Sequence, residues 1–161
     1  MPAKNDTVAD VYGREIIFSR LLSAPRELVF KAFTDPKHIV HWWGPTGFTN
    51  TIHEMHVKPG GVFRFMMHGP DGTDYPNKIS YLEVVEPERL VYLLGDDNAG
   101  TAGEFHVTVT FEAQGKQTLL TMRSLFATVA ECEQVIKQVG AIEGGQQTLD
   151  RLAAYLLQMA G

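Results

Sequence analysis

Phe105-His106-Val107-Thr108-Val109-Thr110-Phe111 alternates apolar and polar side chains without a break. Successive side chains of a strand point to opposite faces, so this run offers four apolar groups to one side and His106, Thr108 and Thr110 to the other. One face meets a core and the other meets water, as in an antiparallel sheet. Around this run, strands are predicted over residues 49–57, 61–68, 78–85, 90–94, 104–112 and 118–125. Pro59-Gly60-Gly61, Pro70-Asp71-Gly72, Glu86-Pro87-Glu88, the 96–103 loop and Gln114-Gly115-Lys116 separate them as turns. Links this short join antiparallel neighbours. In the strand from Gly61, the residues Phe63, Phe65 and Met67 share one face.

Toward the N-terminus, Arg14 to Leu22 reads as a further strand, and Ser23-Ala24-Pro25 switches the chain to helix. Leu28, Val29, Ala32 and Phe33 fall at helical spacing, Asp35-Pro36 caps a second short helix carrying Ile39, Trp42 and Trp43, and Gly44-Pro45 stops it. Toward the C-terminus, Thr128-Val129-Ala130-Glu131 is a capping-box pattern and Gly140 interrupts the helix it starts. A last helix runs from about Ile142 to Met159, with Leu149, Leu152, Ala153 and Leu156 on one stripe. That stripe needs a wall, and the apolar face of the sheet is the wall available. The expected class is therefore α+β: a curved antiparallel sheet wrapped around a long C-terminal helix, in the order β-α-α-β6-α. Residues 1–13 read as a flexible N-terminal tail, and residues 14–161 as a single domain.

At 161 residues and 44% hydrophobic content the chain can bury one proper core. A formal charge of -5 and the lack of any basic run argue against a nucleic-acid partner, which needs Lys and Arg to neutralise phosphates. No apolar stretch approaches the ~18 residues that span a bilayer, so no membrane partner is expected. Cys132 is the lone cysteine and reads as an inert helix residue; with no disulfide to make, the chain reads as cytoplasmic.

Several residues invite a chemical reading. Adjacent helical residues point about 100° apart, so Trp42 and Trp43 cannot share a role; Trp42 is taken as the pocket residue, against the plainer reading that both pack the core. His53-Glu54-Met55-His56 resembles a zinc-protease string, but its histidines are three apart, not four. In a strand they face opposite sides, so no metal is expected. His53 shares a face with Met55 and Val57 and is either a satisfied core histidine or a polar group of a pocket. His38 and His41 lack a third ligand. Glu83 lies in phase with Ile79, Tyr81 and Val85, which makes it and Tyr81 the polar end of a cavity; the competing register turns Leu82 and Val84 inward and leaves Glu83 wet. Nucleophile elbow, phosphate loop and dinucleotide fingerprint are all missing, and no cofactor is expected.

The element order, together with Ser23-Ala24-Pro25-Arg26-Glu27-Leu28-Val29-Phe30, Thr34-Asp35-Pro36, Trp42-Trp43-Gly44-Pro45, Pro59-Gly60-Gly61, Gly69-Pro70-Asp71-Gly72 and Glu86-Pro87-Glu88-Arg89-Leu90, resembles the homologues of the activator of heat-shock protein 90 ATPase, within the START-like helix-grip superfamily. The likeness covers residues 14 to 159. It implies a helix-grip fold with a cavity between sheet and C-terminal helix. Members of the family that stimulate the chaperone carry a further N-terminal domain, for which this sequence offers no room, so chaperone activation is not the expectation. Stand-alone members mostly look like small-molecule binders. The expected lining is Trp42, His53, Met55, Phe63, Phe65, Met67, Tyr81, Glu83, Leu149, Leu152 and Leu156. The leading expectation is a binder of a small apolar or aromatic molecule. A protein-interaction module with a filled core, touching a chaperone or other protein through its surface, is the second; a homodimer is a separate partner expectation. A cofactor-free enzyme using a pair such as His53 and Glu83 is the third.

Overall fold

The computed structural model describes residues 7–160. In chain order the elements are β1 (Val8–Tyr12), β2 (Glu15–Leu22), α1 (Arg26–Thr34), α2 (Pro36–Ile39), β3 (Thr49–Met55), β4 (Val62–His68), β5 (Asp74–Val85), β6 (Arg89–Asp96), β7 (Phe105–Gln114), β8 (Gln117–Leu125), α3 (Val129–Val139) and α4 (Ala141–Ala160). The strands form one antiparallel sheet in the order β1-β2-β8-β7-β6-β5-β4-β3. This is the expected α+β helix-grip architecture with one strand more. The six strands from β3 to β8 follow one another as hairpins, and β2 closes the row by pairing with β8, from Glu15↔Leu125 to Leu22↔Thr118.

The extra strand corrects the tail reading. Val8 to Tyr12 pair with Glu15 to Ser19 through a tight turn at Gly13, while residues 1–6 of the expected tail lie outside the described residues. The strand was hidden because it is a half-exposed edge: Val11 and Tyr12 face solvent, so it shows little alternation. Its start is tied to the last helix, where Thr7 Oγ1 donates to Asp150 Oδ1 at 3.0 Å and Arg20 pairs with the same carboxylate.

The helices start and stop where the side chains say. Asp35 accepts from the Lys37 N–H at the head of α2, and Thr128 accepts from the Glu131 N–H at the head of α3. Gly140 ends α3 in the left-handed conformation at φ 65°, and the chain turns directly into α4. Trp42 and Trp43 lie just past α2, in the turn that follows it. Along α4, Leu149, Leu152 and Leu156 are all buried against the sheet. Facing them are the inward rows Val107, Val109 and Phe111 of β7, Phe63 and Phe65 of β4, and Ile79 and Tyr81 of β5.

Two β-bulges break the alternation. In β3 the pairing passes from Ile52↔Phe65 to Glu54↔Arg64, leaving His53 as the extra residue; Ile52 and Met55, three apart, both turn toward the core. In β5 it passes from Tyr81↔Tyr92 to Glu83↔Val91, leaving Leu82 extra and turning Val84 toward the core. Each bulge sends the residues beyond it to the face opposite the one that strict alternation assigns. The buried stripe of α4 holds the sheet's curvature, so Leu152→Ala is expected to destabilise the fold by about 2–5 kcal/mol. Urea unfolding checks it; a loss of only a few tenths would mean that α4 is not gripped.

Candidate functional site

Between the first half of α4 and the middle strands of the sheet lies a cavity of about 290 Å³. Its floor is Ile16 and Phe18 of β2, Tyr92 and Leu94 of β6, Val107 of β7, and Met122 and Ser124 of β8. Its ceiling is Gly144, Gly145, Thr148 and Leu149 of α4 together with the Val139-Gly140-Ala141 junction. Phe105 and Phe126, stacked at 4.7 Å between ring centroids, close one end, and the loop Trp43-Gly44-Pro45 closes another. None of these wall residues is charged.

The hollow exists because the helix places no side chain there. A Cβ on Gly145 would sit 2.2 Å from Phe18 Cζ, so only glycine lets the helix backbone rest on that ring. Gly144 lies under Pro45, where a Cβ would come no nearer than 3.4 Å, an ordinary contact. Farther along α4 the leucines fill the space fully. A second, open groove of about 560 Å³ shares Pro45, Met67, Asn77, Val139, Gly140 and Gly144 with the cavity and adds Phe48, Tyr75 and Glu143. The shared residues mark a mouth between the β4–β5 hairpin and the α3–α4 junction.

The loop at the rim is held from α4. Arg151 Nη1 donates to the carbonyls of Trp43, Gly44 and Pro45 at 3.3, 2.8 and 2.9 Å, and Nη2 to that of His41 at 3.4 Å. Gln147 Oε1 accepts from the Thr46 N–H, and Asn50 donates to the Trp43 carbonyl from β3. Beside this buckle, Tyr155 bonds His38 Nδ1 at 2.8 Å and stacks on His41.

Of the eleven expected lining residues, the structure brings only Met67 and Leu149 to the cavity wall. Trp42 is wholly buried among core aromatics, edge-on to Phe33, with its indole N–H donating to the Ala32 carbonyl. Trp43 takes the place expected of it. Phe63, Phe65, Tyr81, Leu152 and Leu156 are solid core, and Met55 packs against that core. His53 is exposed at its bulge, which corrects both the core and the pocket readings. Glu83 faces outward and pairs with Arg89, which corrects its placement at the cavity's polar end. An acid–base pair of His53 and Glu83 inside the pocket is thereby overturned.

Sequence reasoning missed Phe18, Tyr92, Met122 and Ser124, and the one signal available was Gly144-Gly145, two helix-weakening residues just ahead of the apolar stripe. No group of three or more His, Cys, Asp or Glu able to hold a metal ion occurs among the described residues. On the outer face of the sheet Thr51 Oγ1, His68 and Asp74 form a chain at 2.7 and 2.7 Å, in the order of a nucleophile, base and orienting acid. It is exposed and borders neither the cavity nor its mouth. Cys132 is buried, and burial pushes its thiol above the ordinary value.

A curved antiparallel sheet closed on a C-terminal helix, with an uncharged hollow between them, defines the START-like helix-grip class. Within it, residues 23–157 match the family model of activator of Hsp90 ATPase homolog 1-like proteins, and the chain belongs to that family. It is similar to a Chromobacterium violaceum protein of known crystal structure, at 29% identity and a TM-score of 0.78 over 90% of this chain and 98% of that one. An Arthrobacter aurescens protein superposes with a TM-score of 0.85 at 23% identity, over 94% of this chain and 91% of that one. A Rhodobacter sphaeroides protein gives 0.83 at 22%, over 96% and 99%; these two likenesses are of fold alone. Among curated proteins no match is found.

Tyr81 and Tyr92 are both buried, and burial pushes their phenols well above the ordinary value, Tyr92 being raised further by Tyr81. The unfolded chain releases those protons from about pH 10 while the folded chain keeps them. Their share of stability is thus intact below pH 10 and is lost as pH rises beyond it, by about 1.4 kcal/mol per pH unit for each tyrosine. Urea midpoints measured up to about pH 11.5 should fall accordingly. The Tyr81→Phe/Tyr92→Phe double variant should fall less steeply; equal slopes would mean the two phenols are wet.

Proposed function

We propose that this chain binds a small, uncharged, largely apolar molecule, aromatic rings included, in the cavity between sheet and α4. The observation that carries the reading is the cavity itself: about 290 Å³ with an uncharged wall and a mouth to the surface. At ~24 cal/mol per Å³, an unfilled core void of that size costs of order 7 kcal/mol as an upper guide. A whole domain holds only about 5–15 kcal/mol of net stability. Such a hollow is hard to keep unless it is used. A void of about 150 Å³ takes benzene, so this one suits a guest of roughly two fused rings. Met67 and Met122 give the wall adaptable side chains, which fits broad selectivity and micromolar affinity.

The single thiol and the lack, among the described residues, of any helix long and apolar enough to cross a membrane fit a binder working in the cytoplasm. Membership of the family is compatible with ligand binding in this fold.

Titration with a fluorophore that brightens in apolar surroundings should show saturable, micromolar binding, displaced by naphthalene. Val107→Trp places an indole on the cavity floor and should weaken the fluorophore more than tenfold while the melting temperature holds or rises, as cavity filling predicts. Unsaturable binding in the native protein, or full affinity in the folded variant, would remove the cavity as the site. Native mass spectrometry of protein taken from cells then tests for a carried ligand.

A further inference from the structure

The cavity wall holds three hydroxyl-bearing side chains, Tyr92, Ser124 and Thr148. Thr148 is satisfied within its own helix, donating to the Gly144 carbonyl at 2.7 Å. The other two are not. Tyr92 is 2% exposed and Ser124 7% exposed, yet neither hydroxyl has a hydrogen-bond partner among the described residues. Among the described residues the side-chain atoms sealed away without a partner are Arg20 Nε and Asn50 Oδ1. Tyr92 Oη and Ser124 Oγ are not among them, so each opens onto free space, and for inward residues on the cavity floor that space is the cavity.

The sheet register sets them as a pair. Tyr92 is opposite Val107, and Val107 is opposite Ser124, so the three occupy one row across β6, β7 and β8. Two strand spacings separate the outer members, roughly 10 Å, with the short Val107 between them. A ring lying over Val107 has a hydroxyl on either side. Buried hydroxyls are normally hydrogen-bonded, and leaving one unmade is more costly than making it is rewarding. The strands had apolar residues to place here, as they do at Val107 and Leu94. The same wall has no cation to take a carboxylate or phosphate, and an isolated anion would lose its hydration without compensation.

Resting on the binding reading above, we infer that Tyr92 and Ser124 form a headgroup subsite, and that the ligand class is an uncharged ring system carrying a hydroxyl or carbonyl oxygen, rather than a plain hydrocarbon or an organic acid. Each hydroxyl both donates and accepts, so a phenol, alcohol or ketone oxygen finds a complementary partner. Burial keeps the Tyr92 phenol protonated and able to donate.

The test compares naphthalene, 2-naphthol and 2-naphthoate by calorimetric titration of the native protein and of Tyr92→Phe, Ser124→Ala and their combination, each confirmed folded by circular dichroism. The native protein should prefer 2-naphthol to naphthalene about threefold to tenfold, one or two neutral hydrogen bonds' worth, and 2-naphthoate should bind worst. The preference should shrink in each single variant and approach unity in the double one. Equal affinities for naphthol and naphthalene in the native protein, a preference surviving in the double variant, or tight naphthoate binding would each overturn the headgroup subsite while leaving the binding reading intact. If none of the three binds, the binding reading fails, and the subsite with it.

Discussion

The distance between α4 and the sheet is set at one point, where the Gly145 backbone rests on the Phe18 ring with no room for even a methyl group. Everything else about the interior follows from it. With two successive glycines, the first half of the helix can lean on β2 but has no side chain to send into the space beside that contact. One turn later the leucines begin, and from Leu149 onward the helix meets the sheet with full side chains. Hollow and solid core are thus two halves of one helix. Two interior glycines weaken a helix by about 1 kcal/mol each relative to alanine, a cost offset by the burial of Leu149, Leu152 and Leu156.

The same helix that roofs the hollow also governs its rim. Arg151 gathers three consecutive carbonyls of the loop that carries Trp43. Burial disfavours its charge, and none of the hydrogen bonds it makes among the described residues is to a carboxylate; the peptide dipoles take that role. Hydrogen bonds to charged groups contribute about 1.5–3 kcal/mol, enough to fix a short irregular loop. Roof and rim are thereby tied to each other, while the exposed Val139 and the Gly140 turn beside the mouth belong to a junction with fewer such ties among the described residues.

The sheet was readable because its strands are long, alternate cleanly and are joined by short glycine and proline turns, with Phe105 to Phe111 the clearest case. Helix boundaries were readable because Asp35 and Thr128 act as caps and Gly140 as a stop. The site was far less readable. Alternation says which residues face inward but not which inward residues touch, and nine of the eleven expected lining residues were misplaced for that reason or because of a bulge. His53 and Glu83 were assigned by counting in twos; a single inserted residue near each sends them outward, and nothing in the local composition announces it. Trp42 and Trp43 are neighbours of the same type, so only the irregular turn after α2 decides which one packs and which one lines. β1 went unseen because an edge strand with its outer residues wet has little pattern to see.

The pairing of β2 with β8 bears on how the molecule is made. Partners such as Glu15 and Leu125 are more than a hundred residues apart, and Thr7 is fastened to Asp150 in the final helix. During synthesis the β1–β2 hairpin can form at once, but the other edge of β2 has no partner until β8 has emerged, while the hairpins from β3 to β8 can zip locally as they appear. Loop closure over such a span comes before any reward from the contacts it makes. Emergence of β8 and α4, rather than any earlier stage of translation, is thus the moment at which the first and last elements of the domain lock together and the fold closes.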